Sequence, residues 1–207
     1  MAEPVGSFPG PDAIPDTYRR QAMRWDTDRA RSFFEKGWLL RATEGLAPGA
    51  QALDLGCGAG EPIASWLIAQ GYALTGADVA DEMLALARDR FPQAEWIRAD
   101  MRTLSLGRQF DLIVAWDSFF HLSPAAQRQM FPIFARHLSP GGRLLFTSGP
   151  AAGEAWGRVG EEAVYHASLA AGEYASLLTD NGLNLRGYLA EDADCDRHSV
   201  WLAQRGF

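Results

Sequence analysis

The segment Ala52-Leu53-Asp54-Leu55-Gly56-Cys57-Gly58-Ala59-Gly60-Glu61-Pro62 constrains the fold of this chain more than any other. A short apolar run ends in glycines at alternate positions and leads directly into an amphipathic stretch. This reads as a strand, a glycine turn and the opening of a helix, with Pro62 suited to the first helical turn. Glycine lets the backbone take positive φ and approach a ligand closely, and the helix start beyond it presents unpaired N–H groups. Turns of this kind open the first βα unit of an α/β sheet, where ligands lie outside the carboxyl ends of the strands.

From Gln51 onward the pattern keeps alternating. Strand candidates are Ala52–Leu55, Ala73–Ala77, Glu95–Arg98, Phe110–Trp116, Arg143–Thr147, Leu183–Leu189 and Ser199–Ala203. Helical stretches lie between them: Ile63, Trp66, Leu67 and Gln70 form one stripe, and Met130, Ile133, Phe134 and Leu138 another. Asp81 and Glu82 at one end of a further helix, with Arg88 and Arg90 at the other, suit its macrodipole. Strands separated by helices imply a largely parallel sheet. The last two candidates are separated only by an acidic stretch containing Glu191, Asp192, Asp194 and Asp196, too short for a helical crossover, so they pair antiparallel. The expected fold is α/β and Rossmann-like: seven strands, mostly parallel, an antiparallel C-terminal strand, and helices on both faces.

Flanking segments complete a single-domain organisation over residues 17–207. Residues 1–16 hold four prolines and two glycines and read as a flexible tail. One helix is expected from about Asp16 to Glu44, inside an N-terminal cap spanning residues 17–47. Residues 149–172 are rich in Gly and Ala, exceed ordinary loop lengths and carry Trp156, Tyr165 and His166, which favours a lid over a linker.

At 207 residues, folding buries roughly 70% of the unfolded surface, enough for one core. A net charge of −7 leaves no overall basic field for neutralising phosphates and argues against a nucleic-acid partner. Cys57 and Cys195 make no disulfide framework, and no His/Cys spacing suggests a metal. Apolar runs are too short to span a bilayer, and residues 1–16 lack the pattern of a secretory signal. The expectation is a cytoplasmic protein, monomer or homodimer, without a membrane partner.

Two acidic residues follow the glycine turn at successive strand ends. Asp78 closes its strand about twenty residues beyond the glycines, placed to accept from both hydroxyls of a ribose; the alternative is a cap for the next helix. In Ala99-Asp100-Met101 a carboxylate can accept from an exocyclic amine while the following N–H meets a ring nitrogen. Glu61 stands where a dinucleotide fingerprint needs a small residue, so a pyrophosphate would meet a carboxylate. Together these features describe a nucleoside pocket for a ligand without phosphate.

At this level of detail the sequence resembles the class I S-adenosylmethionine-dependent methyltransferases, most closely small bacterial members of unassigned substrate. DLGCGAG, the Asp of GADV, ADM, FDLIVAWDSFFHL and LSPGGRLLF occur in that family's order and spacing, over about residues 50–205. The resemblance implies S-adenosyl-L-methionine as cofactor and S-adenosyl-L-homocysteine as product. Asp54 and Gly56, Cys57, Gly58 and Gly60 would hold the methionine portion, Asp78 the ribose, Val79 the adenine face, and Asp100 with Met101 its edge. Ala80 departs from the Ser frequent in relatives, which weakens a helix cap and leaves the pocket untouched.

The fourth strand delivers Trp116-Asp117-Ser118-Phe119-Phe120-His121 to the reacting end. Trp116 beside a sulfonium offers cation–π attraction, while Phe119 or Phe120 also suits the core. His121 and Asp117, four residues apart, suggest a base and its orienting carboxylate on one helical face, although His121 also suits a cap. His137 reads as a dipole partner in a helix's last turn and His198 as structural. On the N-terminal helix, Arg19, Arg20, Arg24, Arg29, Arg31 and Lys36 suit a solvated face, unless one Arg binds a carboxylate of cofactor or acceptor. Tyr18 and Trp25 would roof the pocket, and Phe119, His121, Tyr165 and His166 would line the substrate side. The activity implied is in-line methyl transfer to a small-molecule acceptor. A nicotinamide-dependent oxidoreductase and a non-catalytic nucleoside-binding sensor are the alternatives.

Overall fold

The computed structural model describes residues 8–29 and 32–207. Its helices are α1 (Ile14–Asp28), α2 (Lys36–Thr43), α3 (Ile63–Ala69), α4 (Asp81–Arg90), α5 (Pro124–His137) and α6 (Ala171–Asp180). The strands are β1 (Gln51–Leu55), β2 (Ala73–Asp78), β3 (Glu95–Arg98), β4 (Phe110–Ala115), β5 (Leu138–Ser148), β6 (Gly153–Val159), β7 (Glu162–Ser168), β8 (Leu183–Asp192) and β9 (His198–Arg205).

Seven strands form one sheet in the order β3-β2-β1-β4-β5-β9-β8. Pairings β1–β2, β1–β4, β2–β3 and β4–β5 are parallel, and β9 runs antiparallel to both β5 and β8. The order reverses on either side of β1 and β4, which opens a crevice above their carboxyl ends.

Period-two alternation divides the core between the sheet's faces. Leu53, Leu55, Ile113, Ala115, Leu144, Phe146, Trp201 and Ala203 face α5 and α6. Ala52, Leu112, Val114, Leu145, Val200 and Leu202 turn to the opposite side, against side chains of α2, α3 and α4. Ser123 caps α5 by accepting from the Ala126 N–H at 3.2 Å, and Pro124 fills its first turn.

Three expectations about the flanks are corrected. Residues 1–7 of the expected tail lie outside the described residues. The remainder is docked: a 3-10 turn spans Pro11–Ala13, α1 begins at Ile14, the Trp156 indole donates to the Pro9 carbonyl at 2.9 Å, and Phe8 packs on Trp156. Prolines that discourage interior helix are compatible with a first turn, and Pro15 occupies one. The single helix to Glu44 is instead two, since at Arg29 the backbone leaves helical geometry (φ −57°, ψ 121°); Arg31 lies outside the described residues. Residues 149–172 contain no irregular lid but the β6–β7 hairpin, paired from Gly153↔Ser168 to Val159↔Glu162, and they run into α6. Val164, Tyr165, Ala167 and Ser168 of β7 are buried, while β6 stays largely exposed.

Candidate functional site

The cavity above β1, β2, β3 and β4 is built from the glycine turn outward. Gly56 (φ +73°) turns the chain back so that its N–H reaches the Ala77 carbonyl at 2.7 Å. A Cβ there would stand 2.2 Å from the Cβ of Ser118, whose hydroxyl donates to the Leu55 carbonyl at 2.6 Å. The close approach of two strand ends therefore requires glycine. Gly58 (φ +52°) donates its N–H to Asp78 Oδ2 at 2.9 Å, and Ala80 donates to Asp78 Oδ1 at 2.9 Å. One carboxylate thus braces the glycine turn, tethers the start of α4 and lines the cavity. Burial raises its pKa against the opposing N–H groups of Ala80, Gly58 and Val79.

All ten residues expected to hold a cofactor line this one cavity: Asp54, Gly56, Cys57, Gly58, Gly60, Asp78, Val79, Asp100, Met101 and Trp116. Its empty space is about 1250 Å³, including the part open to solvent. Tyr18, Trp25, Asp117 and His121 line it as well, and Pro11, Ile14 and Pro15 close it from above. Asp54 is 4% exposed, and burial, reinforced by Asp78 and offset by Arg29, pushes its carboxyl up to about 7. The Asp100 carboxylate is gripped by Arg102 through Nε at 3.0 Å and Nη2 at 2.7 Å, and Arg102 also reaches Asp12 at 3.3 Å. Desolvation raises the Asp100 pKa, but the Arg102 contacts outweigh it and hold the group below the usual carboxylate range.

On the opposite wall the expected His121–Asp117 pair is not formed. His121 Nδ1 lies 2.8 Å from the Tyr165 carbonyl, which only accepts, so Nδ1 carries the proton. Nε2 is left as an acceptor for the Tyr18 hydroxyl at 2.9 Å. Burial pushes the imidazole down to about 4, so it is neutral near pH 7. Asp117 sits at φ +49° just past β4, and this left-handed turn aims its carboxylate away from His121 to His198 Nε2, at 2.8 Å. A helical spacing of four carried that expectation, and no helix forms there: Phe119–His121 is only a 3-10 turn.

Other substrate-side expectations divide. Phe119 is fully buried, packed edge-on or tilted against Phe131, Phe134, Phe146 and Tyr174, and belongs to the core. The Tyr165 side chain donates to Glu154 at 2.7 Å, and its contribution near the cavity is the backbone carbonyl that fixes His121. His166 packs on Phe120 and His121 behind the wall. His137 bonds the Ile133 carbonyl through Nδ1 and accepts from the Leu106 N–H at 3.1 Å.

Sequence reasoning did not single out Glu35 for this region, read His198 only as structural, and named Arg29 only within a run of basic residues. Arg29 lines the cavity with its side chain 11% exposed, paired with the fully buried Glu35 and 3.6 Å from Asp117 Oδ2. Its place at the last turn of an amphipathic helix that roofs the pocket was the one available signal. Among the described residues no group of His, Cys, Asp and Glu is placed to hold a metal ion, and no helix is long and apolar enough to cross a membrane.

Comparison with known proteins places these features in a family. Residues 52–142 match the family model described as a methyltransferase domain. The trans-aconitate 2-methyltransferase of Azoarcus sp. (strain BH72) is 34% identical over 60% of this chain and 47% of its own length. Nodulation protein S of Sinorhizobium fredii is 31% identical over 71% of this chain and 67% of its own. The chain thus spans about half the length of several curated relatives it matches. Among solved structures, the amino pentose methyltransferase CalS10 of Micromonospora echinaspora, with S-adenosylmethionine bound, superposes with a TM-score of 0.70 at 21% identity, covering 90% of this chain and 96% of its own. Magnesium protoporphyrin IX methyltransferase of Synechocystis PCC 6803 gives 0.70 at 18% identity, covering 97% and 99%. With the glycine turn, the two acidic strand ends and the sheet order all in place, the chain belongs to the class I S-adenosylmethionine-dependent methyltransferases.

Proposed function

We propose that this protein transfers a methyl group from S-adenosylmethionine to a small-molecule acceptor. The observation that carries this reading is the convergence of three successive strand ends, bearing the glycine turn, Asp78 and Asp100-Met101, on one cavity roofed by Tyr18 and Trp25.

The residues present fit the cofactor. Asp54, a desolvated carboxylate facing the cavity, offers an ammonium the charge partner it needs, and the Cβ-free cradle at Gly56 leaves room for close backbone approach. Arg29 suits a carboxylate. Asp78 keeps free lone pairs beside its two N–H partners for ribose hydroxyls. Glu61 lines the glycine turn, where a pyrophosphate would be repelled, and this weighs against the nicotinamide alternative. When bound, S-adenosylmethionine supplies an electrophilic methyl on a sulfonium, a leaving group that requires no proton.

The protein's work is then alignment and exclusion of water, which can contribute roughly 7–11 kcal/mol. His121, locked in one neutral tautomer by Tyr165, accepts the Tyr18 hydroxyl proton at Nε2, which fixes that hydroxyl and leaves the Tyr18 oxygen lone pairs as acceptors at the cavity wall. A nucleophile bearing N–H or O–H is oriented there. A group held near a pKa of 4 takes little proton at neutral pH, so His121 orients the Tyr18 hydroxyl rather than serving as a strong base.

A small-molecule acceptor, cytoplasmic location, no nucleic-acid partner, and a monomeric or homodimeric state complete the proposal. Incubation with methyl-labelled cofactor and a metabolite extract tests it. Transfer of label to a small molecule is expected. Binding of S-adenosylhomocysteine with no transfer to any fraction points to a sensor, and preferential binding of NADH would refute the reading.

A further inference from the structure

Beyond β4 the cavity wall accepts hydrogen bonds more readily than it donates them. The Tyr18 hydroxyl gives its proton to His121 Nε2 at 2.9 Å, and Ser118 gives its own to the Leu55 carbonyl at 2.6 Å. The proton on His121 Nδ1 is held by the Tyr165 carbonyl at 2.8 Å. A hydroxyl whose proton is committed keeps only lone pairs to offer, so Tyr18 and Ser118 meet an incoming group as acceptors. The Asp117 carboxylate lines the same wall, and the Trp116 indole N–H has almost no accessible surface.

Charge runs the same way. Among the described residues, Asp26, Asp54, Glu61, Asp78, Asp100 and Asp117 line the cavity against two guanidiniums, Arg29 and Arg102. Carboxylates outside the lining pair with both guanidiniums, Glu35 with Arg29 and Asp12 with Arg102, while Arg90 and His198 offset Asp26 and Asp117. The excess stays negative, and it reaches the Tyr18 hydroxyl: burial raises that pKa most, Asp117 and Asp78 raise it further, and Arg29 opposes them by less.

A carboxylate or thiolate acceptor is disfavoured at this wall twice over, by its charge and by having no proton to donate. A hydroxyl acceptor must lose its proton as it reacts, and the nearest base is engaged: His121 Nε2 is occupied by Tyr18, and burial pushes the ring down to about 4. A neutral amine meets each condition. It donates an N–H, keeps a lone pair for attack and needs no base while the bond forms. As the N–C bond forms and the C–S bond breaks, the C–S electron pair goes to sulfur, leaving a neutral thioether, and the positive charge passes to nitrogen. The negative wall therefore faces a cation before, during and after transfer, and contributes where charge is in motion. The methylated ammonium then releases a proton to water.

We propose that the cavity beyond β4 is an acceptor subsite for an amine, whose N–H is received by the Tyr18 oxygen and whose lone pair stays free to take the methyl. The proposal rests on the methyltransferase reading and narrows its acceptor to one chemical class.

Incubation of the whole chain with S-adenosylmethionine carrying a carbon-13 methyl and a metabolite extract tests it, because the carbon shift of the transferred methyl separates N-, O-, S- and C-methyl products in the mixture. An N-methyl product is expected. An O-, S- or C-methyl product in its place overturns the amine subsite and leaves the methyltransferase reading standing. No labelled product of any kind overturns that reading itself, so the two failures are distinguishable. For the amine that is labelled, Tyr18→Phe should lower kcat/KM by about tenfold, the effect of one lost hydrogen bond, with S-adenosylhomocysteine affinity within about twofold of wild type. Unchanged kcat/KM, or an equal loss of S-adenosylhomocysteine affinity, overturns the placement of the amine at Tyr18.

Discussion

Asp54→Asn offers a quantitative test of how the cavity is built. The Asp54 carboxyl is 4% exposed, and its pKa rises from 3.8 to about 7, first through desolvation and then through Asp78, with Arg29 opposing. In the unfolded chain the group ionises near its ordinary value. Between about pH 4 and 7 the folded ligand-free protein therefore binds one more proton than the unfolded protein, and stability falls as pH rises across that window. Three units correspond to about 4 kcal/mol at full ionisation. His121 works in the opposite sense: its pKa falls from 6.5 to about 4 by burial, so its contribution is lost as pH drops from about 6.5 to 4. In the wild type these slopes largely cancel, and a flat profile would conceal both. Asparagine removes only the Asp54 slope, and any offset from its amide is independent of pH. Urea unfolding of both proteins without ligand, at about pH 4.5 and about pH 8, isolates the difference. The variant should gain about 3 kcal/mol relative to wild type on going from the lower to the higher pH, or roughly 6–12 °C in melting temperature for a chain of this size. Its affinity for S-adenosylhomocysteine should fall over the same range. A stability difference between the two proteins that is the same at both pH values refutes the assignment of Asp54 as a desolvated, cation-seeking group.

Other perturbations probe neighbouring features. Asp78→Ala removes the acceptor shared by Gly58 and Ala80 and should weaken S-adenosylhomocysteine by about 1–3 kcal/mol in calorimetry; unchanged affinity would contradict its place in the pocket. Gly56→Ala places a methyl 2.2 Å from the Ser118 Cβ at positive φ and should cost about 1–3 kcal/mol in urea unfolding, with loss of ligand binding. His121→Ala should lower kcat while cofactor affinity stays within twofold of wild type (about 0.4 kcal/mol), and the wild-type pH–rate profile should show no limb near 6.5 from this residue, read by NMR titration of its ring.

The division between what was readable in the sequence and what was not follows from the range of the interactions. The βα turn is local: strand, glycines and helix start lie within about a dozen residues, and each glycine answers a φ or a contact in that same stretch or at the next strand end. The alternation of strands with helices and the short C-terminal connection likewise fixed the sheet, because a crossover between parallel strands needs a helix that the last connection is too short to hold. Asp78 and Asp100 were accessible because a parallel sheet delivers successive strand ends to one edge. The acceptor side follows no such rule. His121 and Asp117 suggested a pair only on the assumption of helical backbone between them, whereas a left-handed residue at Asp117 separates them and joins Asp117 to a histidine 81 positions away. Phe119 was indistinguishable from a pocket aromatic, since an apolar ring next to a polar turn serves either place, and only the cluster with Phe131, Phe146 and Tyr174 decides. The β6–β7 hairpin eluded pattern reading because its burial follows no period of two: β6 is exposed for most of its length, and in β7 the neighbours Val164 and Tyr165 are both buried. Long-range charge pairs such as Arg29 with Glu35 obey geometry alone. They are also the contacts that shape the reacting end, so the cofactor was legible from this chain and the acceptor was not.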